Sequence, residues 1–252
     1  MKKIIALGLL TISLISLAVG CNRKNVVLEE VKTYEVTSEI HSLDIQINAA
    51  DFKIESVDKF LVESNLKHLS VSEQNGVLKI VDKAKGNCNY TNAVLTLYVP
   101  QSIVFDEIDF EIGAAKLQAD ALSARTAELK FGAGDVRFDG LNVSSEVEIE
   151  GGAGEITIVG GSLNNLALEV GVGELNLTAA LLGSSDLEFG VGESNITLLG
   201  SKDDYKVDVK KGIGSITIDG EKVSSSGSNG NGKNRIEIEG GVGAIRLKFQ
   251  EN

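Results

Sequence analysis

A repeated phrase of about twenty residues governs most of the chain. Each copy has alternating apolar residues, a corner unit of Gly-small-Gly, and alternating apolar residues again, as in Ala127–Phe131, Gly132–Gly134 and Val136–Phe138. The glycines that open the corner units are Gly113, Gly132, Gly152, Gly171, Gly190, Gly212 and Gly241. The steps between them are 19, 20, 19, 19, 22 and 29 residues, and Asn48 takes the glycine's place in an earlier copy, which makes eight. A near-constant period of this kind indicates a repeat architecture.

The apolar residues change parity across each corner unit. Leu129 and Phe131 share one parity, whereas Val136 and Phe138 have the other. A straight strand cannot change parity and keep one face buried. Each unit is therefore predicted to be a bend that absorbs one extra residue.

The residue types in the corner predict its backbone. The first position is Gly or, once, Asn48, and Asn is among the few residues that tolerate the left-handed region. The third position is Ala in Ala50 and Ala115. We therefore expect positive φ at the first position and only a small residue at the third.

The fold class follows from the period. Two strands and two corners in 19–20 residues predict one coil, and stacked coils predict an all-β, single-domain β-solenoid resembling a parallel β-helix. An antiparallel meander of hairpins is the alternative. Eight coils at about 4.8 Å give a rod of roughly 35–40 Å. The residues expected to point inward are Leu129, Phe131, Val136, Ile149, Ile156, Leu168, Val170, Leu175, Leu187, Phe189, Val209, Ile216 and Ile245.

The N-terminus has the pattern of a secretory leader. Residues 1–20 combine a Lys2-Lys3 start with a 15-residue apolar run from Ile4 to Ala18, which is short for a membrane span. Leu17–Cys21 resembles a bacterial lipobox, the signal for diacylglyceryl transfer to Cys21. We therefore expect a lipoprotein whose membrane contact is the lipid on Cys21. The alternative is an ordinary leader with an incidental cysteine.

The rest of the chain divides by regularity. Residues 21–33 form a polar tether and 34–252 the solenoid domain. Within it, 34–107 are less regular and contain Asn75-Gly76, a type I′ hairpin signal. Residues 108–252 hold the regular coils, with a loop insertion at 221–235 that is rich in Ser, Gly and Asn.

Composition narrows the function classes. The net charge is −12, and removal of the leader leaves 22 basic against 36 acidic residues, or −14. This excess argues against a nucleic-acid partner. His41, His68 and Cys88 stand in separate segments without metal-ligand or nucleophile spacing. We therefore predict no catalytic residues, no metal and no cofactor, and the protein is not expected to be an enzyme.

Acidic residues recur just after the corner. They are Asp51, Asp135, Glu155, Glu174 and Glu193, whereas Lys116, Ser215 and Ala244 take this place in the other copies. Stacked coils would set these acids about 5 Å apart, at an energetic cost unless they are solvated or counter-charged. The simplest interpretation is a set of solvated turn residues. The functional alternative is an acidic stripe of Asp135, Glu155, Glu174 and Glu193 that binds a divalent cation or a cationic peptide.

These motifs together resemble the bacterial "putative adhesin" family of unknown function. The resemblance is carried by the Gly-small-Gly units from Gly113 to Leu247, the opening coil at Leu43–Ile54 and the Leu97–Pro100 strand end. It implies a cell-surface β-solenoid and transfers no catalytic residues. Similar domains also occur in Gram-positive proteins linked to envelope stress and antimicrobial-peptide sensing.

The function expected from the sequence is binding, adhesion or scaffolding on the extracytoplasmic face of a bacterial membrane. The partner is a cell-surface glycan, a protein or a cationic peptide. An envelope-stress sensor for cationic antimicrobial peptides is the first alternative. A carbohydrate-active β-helix enzyme is the last, because short coils leave little room for a cleft of acids and bases.

Replacing the lipobox cysteine tests the anchor. We expect Cys21→Ala to accumulate unprocessed precursor and to lose all lipid labelling, because the thiol is the acceptor of the diacylglyceryl group. Metabolic labelling with a radioactive fatty acid measures this. Cys88→Ala is the matched control and should label like the natural protein. Labelling that persists in Cys21→Ala would show that the lipobox assignment is wrong.

Overall fold

The computed structural model describes residues 24–25, 28–85, 88–224 and 226–251. The predicted leader and Cys21 lie outside the described residues. The described chain is all-β, with one short 3₁₀ helix at Lys202–Asp204.

The strands are β1 (Lys24–Asn25), β2 (Lys32–Glu35), β3 (Ser42–Ile47), β4 (Asp51–Val57), β5 (Leu61–Ser64), β6 (Leu69–Gln74), β7 (Val77–Asp82), β8 (Cys88–Asn89), β9 (Val94–Pro100), β10 (Phe105–Ala114), β11 (Lys116–Ala119), β12 (Leu122–Phe138), β13 (Leu141–Ile158), β14 (Gly161–Asn164), β15 (Leu166–Leu182), β16 (Ser184–Leu199), β17 (Tyr205–Lys210), β18 (Ile213–Ile218), β19 (Glu221–Lys222), β20 (Gly227–Asn229), β21 (Asn234–Glu239) and β22 (Val242–Gln250).

The central strands stack in parallel and in register. Leu129 of β12 pairs with Ile149 of β13, which pairs with Leu168 of β15, which pairs with Leu187 of β16. The partners are 20, 19 and 19 residues apart in sequence. Like residues therefore stack on like residues in a β-solenoid-like, open sheet, and the alternative of an antiparallel meander is wrong.

Each central coil has a third short side that the two-strand prediction missed. The segment Leu122–Ala124 pairs with Leu141–Val143, which pairs with Gly161–Leu163. Ser162 and Leu163 continue this side to Ala180 and Leu181. This side is a separate strand only in β14, whereas in the neighbouring coils it is the beginning of β12 and of β13 and the end of β15.

The coils do not stack in chain order at the C-terminal end. β16 pairs with β21 and β22, the last strands of the chain, and these pair in turn with β17 and β18. The final coil is thus inserted between two coils that precede it in sequence. The chain crosses back over one coil between the end of β18 and the start of β21, and the described residues there include β19, β20 and most of the predicted loop insertion.

At the N-terminal end, too, the coils do not stack in chain order. β3 and β4 pair with β10 and β11 on one side and with β7 and β9 on the other, so β7 and β9 form the outermost coil. This coil lacks the glycine corner, which is why the sequence did not reveal it. The predicted hairpin is confirmed: β6 and β7 pair antiparallel around Asn75 (φ 50°) and Gly76 (φ 78°).

Short antiparallel strands cover the outermost coil at both ends. β5 and β6 pair with β9 and β7, and β2 pairs with β5. At the other end β20 pairs with β17 and β19 with β18. These additions shield the stack from edge-to-edge pairing with another chain.

The predicted core is confirmed. All the residues expected to point inward are buried except Phe189, which is partly buried and packs against the core. The register places Gly240 beside Phe189 in the next coil, and glycine has no side chain to cover the ring. Full burial of a side chain such as Leu129 stabilises the fold by about 1.5–3 kcal/mol.

The prediction of positive φ at the first corner residue is wrong. The third residue of the corner, not the first, has positive φ, as at Gly173 (φ 149°) and Gly192 (φ 147°). Where Ala50 and Ala115 take this place the strand is interrupted, between β3 and β4 and between β10 and β11. In β13, β15 and β16, glycine lets a single strand run through the bend.

The first corner position requires glycine because of close stacking. A Cβ at Gly171 would lie 2.6 Å from the carbonyl oxygen of Gly152, and one at Gly152 would lie 2.3 Å from that of Gly132. Asn48 is tolerated at this position because the coil next to it toward the N-terminal end, formed by β7 and β9, has no glycine corner. Its side-chain amide instead donates to Asp82 Oδ2 at 3.0 Å.

Substitution at Gly173 tests this account of the corner. A Cβ there would lie 1.8 Å from the carbonyl oxygen of Gly154 at φ 149°. We expect Gly173→Ala to lower the free energy of unfolding by at least about 1–3 kcal/mol, measured by urea denaturation. Gly227→Ala, where nothing lies within 4 Å of an added Cβ, should leave stability unchanged. Equal stability of the two variants would contradict the model of close stacking.

Candidate functional site

The predicted acidic stripe lies on consecutive coils. Asp135 pairs with Glu155, Glu155 with Glu174, and Glu174 with Glu193. We call these four residues the corner ladder. Lys116 separates Asp51 from them, because it pairs with Asp51 and the register sets it beside Asp135.

The corner ladder is largely satisfied by its own chain. Asn176 Nδ2 donates to Glu174 Oε1 at 3.0 Å and to Glu155 Oε1 at 3.2 Å. At the far end, Arg246 Nη1 donates to Glu193 Oε2 at 2.8 Å. These donors offset part of the like-charge repulsion, so the ladder is less free to bind a partner than its charge suggests.

A second and larger set of acids lies on the strands before the corner. It forms two outward rows, which we call the acidic face. The first row is Asp109, Glu128, Glu148, Ala167, Asp186 and Glu237. The second row is Glu111, Lys130, Glu150, Glu169, Glu188 and Glu239.

Among the described residues, the cations that form salt bridges with the acidic face lie toward its two ends. Lys130 Nζ lies 2.5 Å from Glu128 Oε1 and 3.5 Å from Glu150 Oε1. Lys210 Nζ lies 2.5 Å from Glu237 Oε1 near the other end.

Between these ends stand four acids without a salt bridge among the described residues. They are Glu148, Glu169, Asp186 and Glu188, which we call the central acids, and all four are exposed. Adjacent carboxylates on neighbouring coils repel by about 1 kcal/mol in water. The negative potential is therefore concentrated at the middle of the face.

The pKa values on this face record the crowding of charge. Burial, together with the charges of Asp44 and Glu128, raises the pKa of Asp109. Partial burial of the carboxyl, its hydrogen bond with Glu150 and the charges around it raise the pKa of Glu148. Solvent still reaches Glu148, which limits the effect. The hydrogen bond to Glu128 raises the pKa of Lys130.

Sequence reasoning missed the acidic face although its signal was present. Glu148 and Glu150 alternate with Val147 and Ile149, and the same alternation recurs at Ile236–Glu239. Their period is that of the corner glycines. Residues that share one position of the repeat stack on consecutive coils. Examining every position of the repeat in this way, and not only the position after the corner, would have revealed the acidic face.

The side chains considered for catalysis are not assembled into a site. His41 and His68 are exposed, and the half-buried Cys88 thiol donates to the Lys85 carbonyl at 3.5 Å. In the part of the chain that the structure describes, no three His, Cys, Asp or Glu side chains are arranged to hold a metal ion. No helix in those same segments is long and apolar enough to span a membrane.

Comparisons with known proteins bear on the fold. A family model described as Toastrack DUF4097 matches residues 61–248. No curated protein matches the sequence.

Several solved structures are similar. A "putative adhesin" from Bacteroides fragilis is 14% identical with a TM-score of 0.50, covering 88% of this chain and 99% of that one. A "putative cell adhesion protein" from Clostridium sporogenes is 18% identical with a TM-score of 0.40, covering 88% and 99%. A "putative lipid binding protein" from Parabacteroides distasonis is 15% identical with a TM-score of 0.46, covering 89% and 99%. The first shows the same fold.

Because the pKa of Glu148 is raised, we predict that replacing this carboxylate with a neutral side chain increases the stability of the fold by an amount that depends on pH. Ionised Glu148 destabilises the folded state above its folded pKa, and this penalty disappears as the pH falls through that value toward the unfolded one. We expect Glu148→Gln to be more stable than the natural protein at pH 7 and equal to it near pH 4. Urea denaturation at both pH values measures the difference. Glu146→Gln, on the same strand and exposed, is the control, and a Glu148→Gln gain that is the same at both pH values would refute the explanation.

Proposed function

Because the chain belongs to the Toastrack DUF4097 family and shares its fold with a "putative adhesin", we propose that it is a non-catalytic binding module. It acts on the extracytoplasmic face of a bacterial membrane, held there by lipid on Cys21. The observation that carries the proposal is the acidic face, with its exposed central acids Glu148, Glu169, Asp186 and Glu188.

The acidic face is a regular sheet surface, which is better suited to binding a partner than to catalysis. The carboxylates of the acidic face are held at the strand spacing of about 4.8 Å by continuous backbone pairing. Such a face presents a fixed row of charges to an extended surface. It attracts cationic groups over a distance of about 8 Å in physiological salt.

The tether places one end of the stack near the membrane. β1 pairs with β8, which lies between β7 and β9 of the outermost N-terminal coil. Cys21 precedes Lys24 by three residues, so a lipid there holds this end at the membrane. The coil of β17 and β18 is then the far end, and the acidic face is presented along the side.

Sensing of cationic antimicrobial peptides is the second candidate function. The central acids favour it, because four exposed carboxylates without a salt bridge in the described chain form a local excess of negative charge. Such peptides carry the opposite charge, and their binding would weaken with salt.

Two variants of equal charge locate the binding surface. One neutralises the central acids with Glu148→Gln, Glu169→Gln, Asp186→Asn and Glu188→Gln. The other neutralises the corner ladder with Asp135→Asn, Glu155→Gln, Glu174→Gln and Glu193→Gln. We expect the first to lose at least about tenfold in affinity for polylysine by calorimetry at low salt, and the second to lose less, because Asn176 and Arg246 already engage the ladder.

The outcomes separate the candidate functions. Equal losses in the two variants would mean that net charge alone governs binding and that the acidic face is not a site. A glycan and peptide screen of the purified chain distinguishes adhesion from peptide sensing. Absence of any ligand in the screen, together with undiminished polylysine binding by both variants, would overturn the binding proposal itself.

A further inference from the structure

The middle residue of each corner faces solvent and lines up along the stack. From one coil to the next the residues are Ala114, Ala133, Ala153, Val172, Val191, Val242 and Ile213. The residue type changes from alanine to branched aliphatic halfway along. Val172, Val191, Val242 and Ile213 are 54%, 51%, 47% and 75% exposed. We call these four the corner ridge.

The fold itself does not require the corner ridge. Ala133 and Ala153 occupy the same place in the same bend. Larger aliphatic side chains there remain in solvent and add nothing to the core. A contiguous row of exposed aliphatic residues on a soluble surface indicates an interaction site.

A trough with a glycine floor, the glycine trough, lies along the coils that carry the corner alanines and meets the corner ridge at Val172. Gly132, Gly152 and Gly171 form its floor, since a Cβ at these positions would collide with the neighbouring coil. The groove has a volume of about 720 Å³ and extends from Asn48 to Val172. It offers an incoming side chain a recess at the Val172 end of the corner ridge.

Carboxylates border the Val172 and Val191 part of the ridge, and the adjoining end of the trough, on both sides, whereas Ala244, Ser215 and Lys210 take these places at the Val242 and Ile213 coils. Glu150, Glu169, Glu188 and Glu239 of the acidic face lie before the corner. Glu155, Glu174 and Glu193 of the corner ladder lie after it. A partner that matches this surface would have an apolar stripe with basic residues on both sides of it. A second copy of this chain, or an anionic lipid surface, would bring like charges together.

The spacing of the ridge selects the secondary structure of the partner. Its four residues are separated by three steps of about 4.8 Å, roughly 14 Å in all. Three turns of an α-helix rise about 16 Å, a mismatch of about 2 Å that side chains absorb. Same-side residues of a strand are about 6.7 Å apart, so three steps cover roughly 20 Å and lose the match.

We propose that the corner ridge and the glycine trough dock a basic amphipathic helix lying along the stack axis. Its apolar stripe packs on Val172, Val191 and Val242, and the part of the helix that extends past Val172 toward Ala153 enters the trough. Its Lys and Arg side chains reach the carboxylates on both sides. This inference rests on the proposed function as a binding module and names the site and the partner.

The test uses an 18-residue Leu/Lys peptide with helical periodicity and the mature full chain. We expect calorimetry to show binding, and circular dichroism to show that the peptide gains helix. The triple variant Val172→Ala, Val191→Ala and Val242→Ala should bind at least about tenfold more weakly. It should fold normally, because alanine is the natural residue at this place in other coils. Val159→Ala with Leu182→Ala, which changes exposed aliphatic residues outside the corner, is the matched control and should bind like the natural protein.

A second peptide separates this proposal from simple charge attraction. It has the same composition with its leucines scattered around the helix. Equal binding of both peptides, or undiminished binding by the folded triple variant, would overturn the ridge as a helix site while leaving a charge-driven binding module intact. No binding of either peptide would also overturn it. Failure of the proposed function is read separately, from an empty glycan and peptide screen together with polylysine binding that neither charge variant reduces.

Discussion

The structure depends on one close contact, the stacking of backbone on backbone at the corner. The carbonyl oxygen of each first corner residue lies where the Cβ of the next coil's residue would stand, at 2.2 Å for Gly190 over Gly171. This contact allows the parallel ladder to continue around the bend, and it leaves the first position of each corner without a side chain. The trough is therefore a by-product of the constraint that builds the fold.

In-register stacking places like residues on like residues, with opposite consequences inside and outside. In the core, Leu129, Ile149 and Leu168 pack in a continuous column. On the surface the same rule sets carboxylate beside carboxylate, at about 1 kcal/mol for each adjacent pair before screening. The corner ladder offsets this with Asn176 and Arg246, whereas the central acids have no such partner in the described chain.

The ends of the stack differ from its middle in strand pairing and in the order of the coils. A solenoid leaves two open edges, and each edge here is an outermost coil covered by short antiparallel strands. To reach the end and return, the chain places β17 and β18 outside β21 and β22. The 29-residue step between Gly212 and Gly241 contains that return path, so an irregular spacing in the sequence marked a change of topology.

The sequence by itself determined the class of fold, the bend at each Gly-small-Gly unit and the inward face on both sides of it, because alternation and its change of parity are properties of a single strand. It also determined that Asp135, Glu155, Glu174 and Glu193 would meet, since they share one place in the repeat. Only the tertiary structure decided which glycine takes positive φ, because this depends on how one coil lies against the next. It likewise decided the exchanged order of the end coils, because the irregular 29-residue step marks a change of topology without showing which coils pair. The acidic face and the aliphatic ridge have the period of the repeat, but their distance from each other and from the trough follows from the bend at each corner, which only the contacts between coils fix.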